Sequence, residues 1–300
     1  MIQTSFLILL LVLLAGCSNA LDLANYEQTD TTETAVPASV EVPGSEATLL
    51  SALYGLDDDI PSFAGRVICK GAAGKDGMPV VFSHEVDTNT VQAGDFRVTR
   101  ADGSTGTIVC ATPAPASDAG ELRTLLLIGD LGSADNQPVQ VDIVGNILSM
   151  DGSMNFRGNS VSVIPLEDGP VMVFAEIVPA QEWDLGKPQA SGLRFGAPGS
   201  GCPEGTQQVV RVVWAGGTTK PGGDEVDDVE RQAYQVFVDN ERGGEAVVTP
   251  IAVADLGDGD NNHELCLDIT ANPVRVAFPA GLITDPREDL NPATSVTVAK

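Results

Sequence analysis

Histidine is nearly absent: His84 and His263 are the two histidines in 300 residues. A histidine-rich metal site is therefore excluded. Each is followed by glutamate, like the start of H-E-x-x-H, but Thr88 and Leu267 stand where the second histidine belongs. Both histidines read as surface residues at strand ends. Cations are also scarce. Sixteen Lys and Arg face 42 Asp and Glu, a formal net charge of −26. No cationic field exists for nucleic-acid phosphates, and no polybasic patch for an anionic membrane. No C-x-x-C occurs, which argues against zinc. No G-x-S-x-G marks a nucleophile. Residues 71–77, GAAGKDG, lack the P-loop spacing and read as a turn. The longest apolar run, Phe6 to Gly16, is about half of what a bilayer span needs.

That short run is followed by small residues, the pattern of a signal peptide over 1–16. Leu14-Ala15-Gly16-Cys17 resembles the lipobox of bacterial lipoproteins. The resemblance implies cleavage before Cys17 and a membrane partner reached through diacylglyceryl and palmitate-type acyl chains on that residue. Several chains exceed the two-signal requirement for stable anchoring. Ser18, rather than Asp, follows the cysteine, which by the same resemblance implies the outer membrane. The n-region departs from the pattern in having no Lys or Arg. From Ser18 to Asp59 there are nine acidic residues and no basic one. Such a stretch buries little and repels itself, so 17–59 is expected to be a flexible tether. Ala47–Tyr54 is expected to add a helical turn or two within it.

After Pro61, short β-branched runs recur between Gly, Asp-Gly, Pro and Asn. Strands are expected from Arg66–Cys69 and Pro79–Ser83 onward to Val274–Phe278 and Ser295–Val298. This spacing predicts an all-β chain of two tandem sandwiches, 60–168 and 169–300. The halves look like copies. Val80-Val81-Phe82 parallels Val212-Val213-Trp214, and Phe96-Arg97-Val98 parallels Tyr234-Gln235-Val236. Asp130-Leu131-Gly132 is matched to Asp255-Leu256-Gly257 on polar identities, in preference to setting Pro138-Val139 on Pro273-Val274. Val86-Asp87-Thr88-Asn89-Thr90-Val91, Phe96-Arg97-Val98 and Gly145-Asn146 resemble the turns and strands of bacterial Ig-like domains of surface proteins. The resemblance implies a sandwich used for spacing, adhesion or presentation, and it brings no catalytic residues.

Without Cys17, the cysteines are Cys69, Cys110, Cys202 and Cys266. An even count in an exported chain favours disulfides, and three pairings can be drawn. Cys69 and Cys202 occupy matching places before Phe82 and Trp214, so the repeat favours Cys69–Cys110 and Cys202–Cys266.

The sharpest polar cluster is Asp255 to Glu264. Asp255, Asp258, Asp260, Asn262 and Glu264 offer hard oxygens, the last four at alternate positions, as Ca²⁺ requires. It is not an EF-hand: His263 stands where that loop needs glycine, and Ile269 where it needs glutamate. The favoured reading is nevertheless a solvated acidic hairpin loop, because Asp130–Asn136 keeps the same turn residues with fewer acids. Asp224–Asp228 and Asp285, Glu288 and Asp289 form two more acidic loops that can share its end. Trp214 reads as core, which leaves Trp183, in a Pro/Gly-rich stretch, as the better of the two candidates for an exposed carbohydrate-type contact.

These features predict a lipid-anchored outer-membrane protein that acts as a non-enzymatic binding or structural module, with calcium as its one candidate cofactor. Its ligand would be a protein or glycan at the cell surface. An exported hydrolase or lyase acting on a polymer through loop carboxylates is the alternative.

Overall fold

The computed structural model describes residues 46–188, 199–240 and 244–299. The signal segment, Cys17 and residues 18–45 of the expected tether lie outside the described residues.

The first half comprises β1 (Leu49–Leu53), α1 (Ala64–Val67), β2 (Asp76–Phe82), β3 (Phe96–Arg100), β4 (Thr107–Thr112), β5 (Thr124–Asp130), β6 (Pro138–Ile143) and β7 (Ser160–Ile164). Alternation decides the faces. Phe96 and Val98 of β3 point inward while Arg97 is exposed, and Val141 and Ile143 of β6 point inward while Val139 is exposed. The strand order is β3-β6-β7-β1-β2-β5-β4. Val80 and Leu127 share one core with Val98 and Val141 from the other end of this order, so the sheet folds over on itself. The fold-over lies where β7 and β1 pair in parallel, Ala52↔Val163 and Leu53↔Ile164.

The second half comprises β8 (Met172–Ile177), β9 (Gln208–Trp214), α2 (Asp228–Ala233), β10 (Gln235–Asp239), β11 (Glu245–Val248), β12 (Ala252–Ala254), β13 (Asn262–Leu267), β14 (Pro273–Phe278) and β15 (Thr294–Thr297). Its sheets run β11-β10-β14-β15 and β12-β13-β9-β8. A parallel bridge, Glu176↔Ala299, joins β8 to the chain just after β15. Strand for strand, the order repeats that of the first half. Four strands face three in the ABED and CFG arrangement of the immunoglobulin fold, and β11 is an added strand beside β10. Trp214, Tyr234, Val236, Val276 and Phe278 fill the second core.

Four expectations change here. Leu49–Leu53 is a strand at the centre of the first sheet, not a helical turn of the tether, because β2 and β7 pair with it on either side. Arg66–Cys69 is not a strand: residues 64–67 are helical. Asp224–Asp228, expected as an acidic loop, runs into α2. Its N-cap Asp227 accepts from Val229 N–H, and Glu230 accepts from Asp227 N–H in a capping box. Trp183 is not an open contact. It packs beside Cys202 and Cys266, and its indole donates to Val178 O at 2.9 Å.

The repeat itself needs a different alignment. Phe82 N–H donates to Arg123 O, as Trp214 N–H donates to Asn261 O. The equivalence therefore sets β5 on β13 and Pro138 on Pro273 at the starts of β6 and β14. Asp130-Leu131-Gly132 lies at the end of β5, whereas Asp255-Leu256-Gly257 precedes β13, so those loops are not counterparts. The Asp130 turn has its own cause: buried Asp76 accepts from Leu131 N–H at 2.6 Å and Gly132 N–H at 3.0 Å.

The disulfides are Cys69–Cys110 and Cys202–Cys266. Each ties the segment before β2 or β9 to a later strand: β4 in the first half and β13 in the second. Cys266 takes the place of Ile128, which is the cross-strand neighbour of Cys110. At sequence separations of 41 and 64, each contributes about 4 kcal/mol in the loop-entropy account.

Candidate metal centre

The counterpart of the acidic β12–β13 loop is the β4–β5 loop of the first half. The two loops meet. Asp118 and Glu121 come from the first, and Asp255, Asp258 and Asp260 from the second. One ligand atom each from Asp118, Glu121 and Asp255 lies within 4.8 Å of the others, and Asp255, Asp258 and Asp260 form a second such group. Glu121, Asp255, Asp258 and Asp260 are only 2%, 7%, 4% and 6% exposed. The expected solvated loop is thus buried.

Local hydrogen bonds hold these side chains. Asp118 N–H donates to Glu121 Oε2 at 3.0 Å, and Gly199 N–H to Asp118 Oδ2 at 3.1 Å. Asp260 N–H donates to Asp258 Oδ1 at 3.3 Å. Asn262 donates to Asp260 twice, from its backbone N–H at 2.8 Å and from Nδ2 at 2.6 Å. Asp255 sits at φ 63°, left-handed backbone that disfavours side chains, and its N–H donates to Ser200 O at 2.7 Å. Gly199 presses against the carboxylates: a Cβ there would collide with Asp255 Oδ1 and Asp258 Oδ2.

Two of the carboxylates have an oxygen with no hydrogen-bond donor: Oδ2 of Asp255 and Oδ2 of Asp258. Asn262 Oδ1 likewise lacks one. Buried acceptors in this condition are costly. Burial, with Asp260 and Asp255 nearby, pushes Glu121 well above the carboxylate range. Burial and Asp255 push Asp258 up to about 8. Burial and Asp258 raise Asp260 strongly, and burial raises Asp255. Removed from water, the cluster must bind protons or a cation.

All the donors are hard oxygens, which suits Ca²⁺ or Mg²⁺ and not zinc. Oxygens on opposite sides of a Ca²⁺ ion are about 4.6–5.2 Å apart, so groups of this size fit one.

Of the sequence-derived set, Asp255, Asp258 and Asp260 come together, and Asn262 joins through Asp260. Glu264 lines the same cavity but belongs to neither group: it accepts from Arg211 at 3.0 Å. Glu121 and Asp118 were not anticipated, and a lone D-x-x-E in a loop carries little signal. The other two acidic loops do share this end. Thr219 pairs with Thr284, Thr218 N–H donates to Asp260 O, and Glu225 acts on Asp258 electrostatically. Asp285 instead caps its own turn, accepting from Arg287 and Asp289 N–H. His263 corrects the surface reading. It is 2% exposed, its Nδ1 lies 2.6 Å from Tyr234 Oη, and burial lowers it to about 4.

Around the cluster the halves are cross-linked by charge. Arg211 of β9 donates to Gly120 O and Ala119 O of the first half at 3.0 and 3.2 Å. Arg123 of the first half bonds Glu176 of β8 at 2.8 Å and stacks on Phe174. Asn261 donates to Thr124 Oγ1 at 3.1 Å. A polar cavity of about 280 Å³, lined by Asp118, Glu121, Asp255, Glu264, Arg211 and Lys187, leads to the carboxylates.

No family model matches the chain, and no curated protein sequence does. Solved structures with some likeness include the N-terminal part of the bacterial S-layer protein SbsC. It shares 11% identity at a TM-score of 0.26, over 85% of this chain and 45% of that one. The S-layer protein rSbsC matches at 11% identity and a TM-score of 0.28, over 79% of this chain and 42% of that one. This chain spans less than half the length of either. At such identity and TM-score the likeness assigns neither family nor function.

Proposed function

We propose that this is an exported, non-enzymatic structural or binding module of the cell envelope, held to the outer membrane by lipid on Cys17. In this reading Ca²⁺ at the junction fixes its two sandwiches in one orientation. The observation that carries the reading is the convergence of both halves' acidic loops on buried carboxylate oxygens that lack donors. The two disulfides support an oxidising compartment. The hydrolase alternative loses ground on access. Asp258 and Asp260, at 4% and 6% exposure, cannot be reached by a polymer chain.

The test is a thermal melt of the chelator-stripped protein with and without Ca²⁺, repeated on Asp255→Asn, which removes the one carboxylate common to both groups. Ca²⁺ should raise Tm in the parent and not in the variant. An equal Tm with and without Ca²⁺ in the parent would remove the metal from this reading.

A further inference from the structure

We propose that the junction holds two divalent cations, bridged by Asp255. This rests on the Ca²⁺ reading above and sharpens it. The five carboxylates do not form one group. They form two groups of three, and Asp255 is the one residue common to both among the described residues. Each group has the span of a single Ca²⁺ shell, in which the Ca–O distance is about 2.3–2.6 Å. Carboxylates can serve two ions, having two oxygens and about four lone-pair directions.

Independent features point the same way. Asn262 is an amide, 1% exposed, with Oδ1 lacking a donor beside the Asp258–Asp260 group. Asp255 Oδ2 and Asp258 Oδ2, in residues more than nine-tenths buried, lack donors too. Charge then sets the number of ions. One divalent ion would leave three of the five carboxylate charges uncompensated in a buried site. Two ions leave one, and the Lys187 ammonium, which acts on Asp118 and Asp255, is shared with Asp184 at 2.6 Å. Arg211 cannot supply the difference, being committed to Glu264 and Glu176.

The two positions differ in role. The Asp118–Glu121–Asp255 position joins the halves. The Asp255–Asp258–Asp260 position lies wholly within the β12–β13 loop and orders the bridging residue.

Equilibrium dialysis of the full-length chain in detergent, followed by metal analysis, reads the stoichiometry. Two Ca²⁺ per chain are expected for the parent, one for Glu121→Gln, one for Asp260→Asn and none for Asp255→Asn. Circular dichroism and a cooperative melt qualify each variant as folded. If Asp255→Asn does not fold, the parent's stoichiometry and the two single-ion variants decide. One ion per chain in the parent overturns the bridged pair and leaves the Ca²⁺ brace standing. No bound ion overturns both. Loss of both ions in Glu121→Gln overturns the division into two positions.

Discussion

Arg211→Met is expected to destabilise the protein by about 2–3 kcal/mol at pH 7 and by about 5 kcal/mol at pH 9, built as follows from. Arg211 is 3% exposed and donates to two carbonyls of the first half. Losing those bonds costs about 1 kcal/mol each. The rest concerns Glu264, 4% exposed and bonded to Arg211. Burial raises its carboxyl from 4.5 to about 7, against the pull of Arg211. A carboxyl raised on folding contributes stability below its unfolded value and loses it as pH rises. In the parent that loss stops near pH 7, where Glu264 ionises. Without the guanidinium, burial acts unopposed and Glu264 stays neutral. The loss then continues at up to about 1.4 kcal/mol per pH unit. Two further units add nearly 3 kcal/mol, toward the upper end of the range for broken buried pairs. Urea unfolding followed by tryptophan fluorescence, at both pH values and in excess Ca²⁺, measures this. The double variant Arg211→Met/Glu264→Gln should remove the pH dependence. A penalty below about 1 kcal/mol, or one identical at pH 7 and 9, would refute the reasoning.

Three other outcomes are expected. In chelator, Tm should fall as pH rises from about 4 to about 8, because burial holds Asp258 at about 8 and raises its neighbours; excess Ca²⁺ should abolish the fall, and parallel profiles would count against a cation. Tyr234→Phe should cost about 2 kcal/mol by urea titration, since Tyr234 Oη accepts from Trp214 Nε1 and meets His263 Nδ1 in the core; a neutral effect would show that the network contributes nothing. Starting the chain at residue 60 removes β1 and should abolish the cooperative melt of the first half; a truncated protein that melts like the parent would contradict the central place of β1.

The strands of both sandwiches were legible because half-buried strands write their pattern locally. Phe96-Arg97-Val98 alternates, and the partner strand only completes it. The within-half disulfides followed from the repeat for the same reason. β1 was hidden. Leu49–Leu53 has no β-branched residue and follows an acidic stretch, so nothing local marks it as a strand; β2 and β7 make it one. The Asp130 and Asp255 turns misled because similar turns call for similar residues whichever strands they join. Sequence order alone thus determined the sandwiches, the cysteine pairs and Asp255, Asp258 and Asp260 as a cluster. Tertiary structure alone decided that this loop is buried, that Glu264 belongs to Arg211, and that Glu121, 134 positions before Asp255, completes the site. The reason is physical. Ligand chemistry depends on distance through space and on lost water, and neither is encoded in the spacing of residues along one loop.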